Sequence, residues 1–315
     1  MKSAADTITV VVPVHNRERL VLETLESIAS QTVHPSLIVV DNNSSDSSLQ
    51  AVSSWADAHR SVSFPITVLS QHEPGATNAR NLGLENTATP WVMFFDSDDI
   101  MKPCHIERIV SIALSDQHIE LIGWDTITVP LKGRPYLKKF KGKNLMWRNI
   151  FNGIMSTQQY AAKTHLFREC GGWNPALAGW NDYELGMRLL LLKPKTVYLK
   201  GKPEVIIRCQ RNSITGTDFS STPDKWENSL DSCQLIFEKA GQPYYVRCIN
   251  LKRAVLSGLY RRENNHTESD RLMVKVLSSE SGKWCRFMLR LACRYTAIGG
   301  RGFHYLYPLK NRSDS

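Results

Sequence analysis

Four short apolar runs, each but the last followed by a stretch of helical periodicity, occupy the first hundred residues: TITVVVPV (7–14), LIVVD (37–41), ITVLS (66–70) and PWVMFFD (90–96). They are rich in β-branched or aromatic side chains and almost continuously apolar, as expected of strands covered on both faces. Between them, RERLVLETLESIASQ (17–31) sets Leu20, Leu25 and Ile28 at helical spacing. NNSSDSSLQAVSSWADAH (42–59) opens with an Asn/Ser/Asp cluster suited to helix capping, and GATNARNLGLENT (75–87) reads as a helix with Gly75 at its start. Strands alternating with helices of this length predict an α/β fold, a mainly parallel sheet with helices on both faces.

The pattern changes in the last third. Residues 224–265 read as helical, and KWCRFMLRLACRYTAI (283–298) follows. As a helix the latter places Trp284, Phe287, Met288, Leu291, Tyr295 and Ile298 on one face, with Lys283, Arg286, Arg290 and Arg294 beside it. Two readings fit: a helix lying in an anionic membrane interface, or one docking its apolar face on the rest of the protein.

Charge sharpens that contrast. The 315-residue chain carries a net +9, yet residues 241–315 hold 14 Lys/Arg against 5 Asp/Glu, and residues 1–240 hold 25 of each. The surplus therefore belongs to the C-terminal quarter, as in a surface-binding appendage. No recognised nucleic-acid motif accompanies it, so a nucleic-acid partner is not expected. No apolar run approaches the roughly 18 residues of a membrane span, and MKSAADTITVVVPVHN lacks the pattern of a signal peptide. Seven cysteines without a C-x-x-C pair indicate neither a disulfide framework nor a zinc site, so a cytoplasmic setting is expected.

Ligands of such sheets bind beyond the carboxyl ends of the strands, where strand order reverses. Three polar clusters stand there: Pro13 to Arg17, Asp41 to Asp46, and Asp96 to Asp99. The chain has neither G-x-G-x-x-G after its first strand nor a P-loop, so a phosphate ligand needs another counter-charge. In VMFFDSDDIM (92–101) three carboxylates crowd into four positions. Neighbouring carboxylates at a buried strand end repel by ~1–4 kcal/mol. A divalent cation reverses that sign, and Mg²⁺ or Mn²⁺ often takes one or two protein carboxylates with phosphate oxygens and water. The plainer alternative is a solvated turn in which one aspartate caps the helix expected near Pro103.

The ordered set PVHNR (13–17), VVDNNSSD (39–46), PGATNARNLG (74–83), FFDSDD (94–99) and GGWNPALAGWNDYELGMRL (171–189) resembles the family 2 glycosyltransferases of GT-A fold, over about residues 7–215. The resemblance implies a metal-dependent, inverting transfer of a sugar from a nucleotide-sugar donor, UDP-linked, to a hydroxyl of a glycan or lipid-linked acceptor in polysaccharide biosynthesis. It implies that Asp96 binds the ribose and Asp98 binds Mn²⁺ or Mg²⁺; Asp99 is a candidate cap of the next helix. Asp41 would accept the imide N–H of uracil, or cap the helix after it. Arg80 would reach base or diphosphate, or be an exposed helix arginine, and Pro13 and Arg17 would shape the nucleotide pocket.

The base expected from the resemblance is the second acid of a pair standing here as Asn181-Asp182, which makes Asp182 the candidate. A capping box between Asn181 and Glu184 explains the same residues without catalysis. Trp173 or Trp180 would stack on an acceptor sugar or pack in the core. Gln210 stands where many relatives carry histidine, which argues against a histidine metal ligand from the loop 205–215. PLKGRPYLKKFKGK (130–143) is either a loop that orders over substrate or a solvated hairpin. The implied division is a nucleotide-sugar half (1–100), an acceptor half (101–220) and a helical basic extension (221–315), peripheral on the cytosolic face of a membrane. A sugar-phosphate nucleotidyltransferase is disfavoured because PVHNRERL has no glycine to cradle a triphosphate; a non-catalytic carbohydrate-binding protein is the third alternative.

Overall fold

The computed structural model describes residues 3–210 and 218–306. Its strands are β1 (Ile8–Val14), β2 (Ser36–Asp41), β3 (Ile66–Ser70), β4 (Trp91–Phe94), β5 (Ile100–Met101), β6 (Leu121–Gly123), β7 (Thr126–Val129), β8 (Tyr136–Lys138), β9 (Tyr160–Lys163), β10 (Thr196–Tyr198) and β11 (Val205–Arg208). Seven form one sheet in the order β10-β6-β9-β4-β1-β2-β3, and four form a second in the order β5-β11-β7-β8. In the large sheet β1 pairs in parallel with β2 and β4, β2 with β3, and β10 with β6; β9 alone runs against its neighbours β4 and β6. The mainly parallel α/β sheet expected from the apolar runs is thus present.

All seven residues of β1 are buried, as a strand sandwiched between helices requires. β3 departs from that expectation: only Ile66 is fully buried, because β3 is an edge strand. Ile8, Val10, Val12 and Val14 face a core shared with Val21, Leu25 and Ile28 of the helix Glu18–Ala29, while Leu20 is half-buried. Val11 points to the other face, against the helix Ala76–Glu85. A Cβ on Gly83 would lie 2.3 Å from Val11 Cγ1, so only glycine permits this approach.

From β1 the sheet grows through β2 to β3 on one side and jumps to β4 on the other. The reversal therefore lies between β1 and β4, and the carboxyl ends of these strands lead into Pro13–Arg17 and Asp96–Asp99.

The chain divides into two compact units, Met1–Lys143 with Ile154–Asn212, and Asn144–Gly153 with Ser213–Ser315. The second is helical, with helices Leu145–Asn152, Pro223–Lys239, Pro243–Arg262, His266–Ser278 and Lys283–Ala297. Gly258 lets the last cross close over Pro243–Arg262: a Cβ there would meet the Cys293 carbonyl oxygen at 2.5 Å. No helix among the described residues is long and apolar enough to cross a membrane.

Candidate active site

The loops that follow β1, β2 and β3 are knitted together by two asparagines. Asn16, at φ 50°, accepts from the Ser45 amide at 2.8 Å, and its own amide donates to Ser44 Oγ at 3.1 Å. The buried Asn42 side chain donates to the carbonyls of Gln71 and Glu73 and accepts from the Gly75 amide at 2.7 Å. Against this wall stands Asp41, almost fully buried, with Oδ2 accepting from the Ser44 amide at 3.1 Å. Its Oδ1 is buried and has no hydrogen-bond partner among the described residues. The helix-capping alternative fails here, because the next helix, Ser48–His59, starts from Ser47. Pro13 is buried inside β1, in register with Val40, so it shapes the strand end without offering a polar group.

Arg80 is the centre of the site. It lies on the helix Ala76–Glu85 and is 6 % exposed, which rules out the surface-arginine alternative. Its Nη2 donates to Asp96 Oδ1 at 2.8 Å, and its Nη1 lies 3.8 Å from Asp182 Oδ1. Burial alone would depress the guanidinium, but the opposing charges of Asp182 and Asp96 prevail and hold it above its ordinary value. One buried cation thus bridges two carboxylates that are 86 positions apart in the chain. Gln158 donates to the second oxygen of Asp96.

Asp182 sits in the first turn of the helix Asn181–Leu191 and is held from a second side by Trp173 Nε1 at 3.1 Å. Trp173 is 1 % exposed and packs on Phe94 and Phe167, so it is a core residue and not an acceptor platform. The residue after Arg80 fixes its position: Asn81 accepts from the Trp173 amide at 2.8 Å and donates to its carbonyl at 2.9 Å. A Cβ on Gly172, whose φ is +68°, would lie 2.5 Å from Asn81 Oδ1, which explains a glycine there. The capping-box alternative is not met: Trp180, at φ 46°, is the N-cap, and Glu184 pairs with Arg188 at 2.6 Å. Trp180 remains half-buried over Tyr183.

At the end of β4 the three aspartates separate in environment. Asp98 is pushed up to about 6, first by burial and then by the Asp96 charge, against the opposing pull of Arg17 and Arg208. Arg17 Nε lies 3.9 Å from Asp98 Oδ2. Asp99 is buried and raised well above the usual carboxylate range by burial, Asp96 and Asp98. Its Oδ1 accepts from the Arg208 amide at 2.8 Å, while Oδ2 has no hydrogen-bond partner among the described residues. Asp99 does not cap the next helix, His105–Ser115, which starts from Cys104. It ties the carboxyl end of β4 to β11, and the Arg208 guanidinium adds bonds to the Asp98 carbonyl and to Glu23.

No three His, Cys, Asp or Glu side chains among the described residues form a metal-binding group. The crowded Asp98 nonetheless fits a cation that arrives with phosphate oxygens, because a cation relieves the repulsion from Asp96 and hard divalent ions accept a single protein carboxylate when phosphates and water complete the shell. Gln210 is the last described residue before 211–217; the rest of the loop 205–215, from residue 211 on, lies outside the described residues.

Three contributors were invisible to sequence pattern: Gln158, Arg208 and Lys138. Lys138, in the basic stretch 130–143, is half-buried on β8 and donates to Ser156 Oγ at 3.0 Å. Burial brings it down to about 8, with the Asp182 charge pulling the other way. It adds a second cation within electrostatic reach of Asp182.

The family model for "Glycosyl transferase family 2" matches residues 9–172, just over half of the chain. The chain belongs to that family. It is therefore a glycosyltransferase, moving a sugar from a donor. It is 25 % identical over 230 residues to an uncharacterised glycosyltransferase of Haemophilus influenzae, covering 68 % of this chain and 73 % of that protein. It is 32 % identical over 241 residues to the glycosyltransferase GlyA of Streptococcus pneumoniae, covering 71 % of this chain but 33 % of GlyA. The fold is similar to that of S. aureus TarS 1–349 solved with UDP-GlcNAc, with a TM-score of 0.67 at 17 % identity, covering 93 % of this chain and 88 % of that one. Asp182 of this glycosyltransferase lies beyond the end of the family match.

Proposed function

We propose that the glycosyltransferase takes a uridine diphosphate sugar at the β1–β4 reversal and passes the sugar, with inversion, to an acceptor hydroxyl activated by Asp182. The observation that carries this reading is the Asp96–Arg80–Asp182 bridge, which links the donor end of β4 to the candidate base through one buried guanidinium. The buried, unpaired Oδ1 of Asp41 is an acceptor suited to a ring N–H, which supports a uracil base. Asp96, with its two oxygens oriented by Arg80 and Gln158, suits a ribose diol. Arg17 and Asp98 line the approach to the diphosphate, and Asp98 would hold Mn²⁺ or Mg²⁺. A divalent ion there supplies stabilisation of the negative charge that develops on the leaving diphosphate.

Asp182 accepts the proton of the attacking hydroxyl. Its carboxylate is fixed by Trp173 and Arg80, so the acceptor meets a base already aimed. Sugar transfer passes through an oxocarbenium-like state, and attack opposite the leaving group inverts the anomeric carbon. The acceptor is a hydroxyl of a glycan or lipid-linked saccharide, and Trp180 offers an aromatic face for it.

Calorimetric titration with UDP and Mn²⁺, beside a donor-consumption assay, tests the scheme on the intact chain and on Asp182→Asn. Transfer by the variant is expected to fall by about 10²–10⁴-fold, with UDP affinity within about threefold of the parent. Transfer that survives the substitution would remove Asp182 as the base. Failure of UDP to bind with Mn²⁺ present would remove the donor assignment.

A further inference from the structure

We infer that the exposed face of the helix Lys283–Ala297 docks the protein on an anionic lipid bilayer. This helix has two apolar faces. Met288, Leu289, Ala292, Cys293 and Thr296 are buried, on the side that Gly258 allows close to the helix Pro243–Arg262. Docking therefore uses one face only, and Met288 belongs to it, not to the stripe expected from the sequence. The second face stays in water: Trp284 is 64 % exposed, Phe287 51 %, Leu291 40 %, and Ile298 just past the helix end 86 %. Their spacing of three, four and seven residues keeps them in one line along the axis. Trp284 and Phe287 stack with ring centroids 5.5 Å apart, so the apolar end of the line is preformed. Tyr295 is half-buried against Phe303 and closes the stripe on the docked side.

Beyond the other side of the stripe, about 100° of rotation per residue brings Lys283, Arg286, Arg290 and Arg294 into one basic row. No ion pair among the described residues engages Lys283, Arg290 or Arg294. Going round the helix, the order is docked face, exposed apolar line, basic row. A partner must satisfy both exposed features at once, apolar contact for the line and negative charge alongside it. A bilayer of anionic phospholipid does so, with the aromatic and aliphatic side chains at the acyl boundary and the arginines among headgroups. A second copy of the chain fits poorly, because a two-fold contact through this face would bring two arginine rows together. Nucleic acid offers phosphate but no apolar surface for Leu291 and Ile298. The excess of 14 basic over 5 acidic residues in 241–315 adds long-range attraction of the right sign.

Flotation of the full-length chain with phosphatidylcholine vesicles, alone or with about 30 % phosphatidylglycerol, at low and raised salt tests this. Binding is expected only with the anionic lipid and is expected to weaken as salt rises. Arg290→Glu with Arg294→Glu should cut binding by more than about 25-fold, near fivefold for each basic residue lost. Trp284→Ser with Phe287→Ser should cut it at least about tenfold with an unchanged melting temperature, since both side chains already face water. Ile298→Asp, at the most exposed position and outside the helix, gives the same reading should the double variant melt early. Absence of flotation at low salt overturns the proposal, as does equal binding to neutral vesicles or binding untouched by Ile298→Asp. Self-association abolished by the same substitutions, or tighter binding to duplex DNA or RNA than to vesicles, also overturns it.

Discussion

Arg80 concentrates the electrostatics of this glycosyltransferase in one side chain. It is buried, charged and shared by two carboxylates, so its removal takes from Asp96 and Asp182 the cation they share. Arg80→Met is expected to destabilise the first unit by about 3 kcal/mol, since breaking a buried pair costs more than the pair contributes. Arg80→Lys restores the charge but not the two-pronged donor, so it should recover stability while leaving donor affinity weakened about tenfold or more. Chemical denaturation and calorimetry on the two variants separate these effects; full donor affinity in Arg80→Lys would contradict the bridge. At residue level the ordered motifs marked Arg80, Asp41, Asp96 and Asp182 as candidates, but the pairing of Arg80 with two of these acids was not legible there. Nor was the division of labour among the clustered acids. Asp99 resembles its neighbours in sequence, yet it is spent on the Arg208 amide, and Trp173 orients Asp182 from the core.

At the scale of elements, the helix Ala76–Glu85 is the part that assembles the site. It presents Arg80 to the carboxylates, and Asn81 to the backbone of Trp173, from one rigid turn. Its distance from β1 is set by Gly83 against Val11. Gly83→Ala would gain helix propensity but forces the helix outward, for a net loss of about 1–3 kcal/mol. Both Arg80 and Asn81 move with it, so catalytic turnover should fall by a larger factor than the stability loss accounts for at a temperature where the variant stays folded. Thermal melts paired with the transfer assay check this; an active, fully stable Gly83→Ala would mean that the contact with Val11 relaxes without consequence. The apolar runs located β1, β2, β3 and β4 to within a residue or two, because buried strands need little besides apolar, branched side chains. The small second sheet escaped notice because β5, β7, β8 and β11 are two to four residues long and draw their stability from pairing across the chain.

At the scale of the whole molecule, acid acts on the second unit through a buried histidine. In the second unit His304 is buried between Phe151, stacked at 4.5 Å, and Trp147, with the Lys252 charge also near and Tyr305 beside it. Burial, then Lys252, bring its pKa down to about 4 from an ordinary 6.5. The unfolded chain therefore binds a proton between pH 6.5 and 4 that the folded chain refuses. Stability from this group is present above pH 6.5 and is lost as pH falls towards 4, by on the order of 3 kcal/mol. Denaturant midpoints across that range should fall more steeply for the parent than for His304→Phe, which keeps the ring and removes the titration. Parallel curves would show that the imidazole titrates normally.

The sequence by itself determined the class of fold and the family, because alternating apolar strands and amphipathic helices are local properties, and the polar strand ends are written in contiguous motifs. It also located the excess charge in the last quarter. Only the tertiary structure decided which acids share a cation, which tryptophan is core, and which face of Lys283–Ala297 is left in water. Those outcomes depend on contacts between residues tens of positions apart, where a side chain's environment is set by elements that its own neighbourhood does not encode.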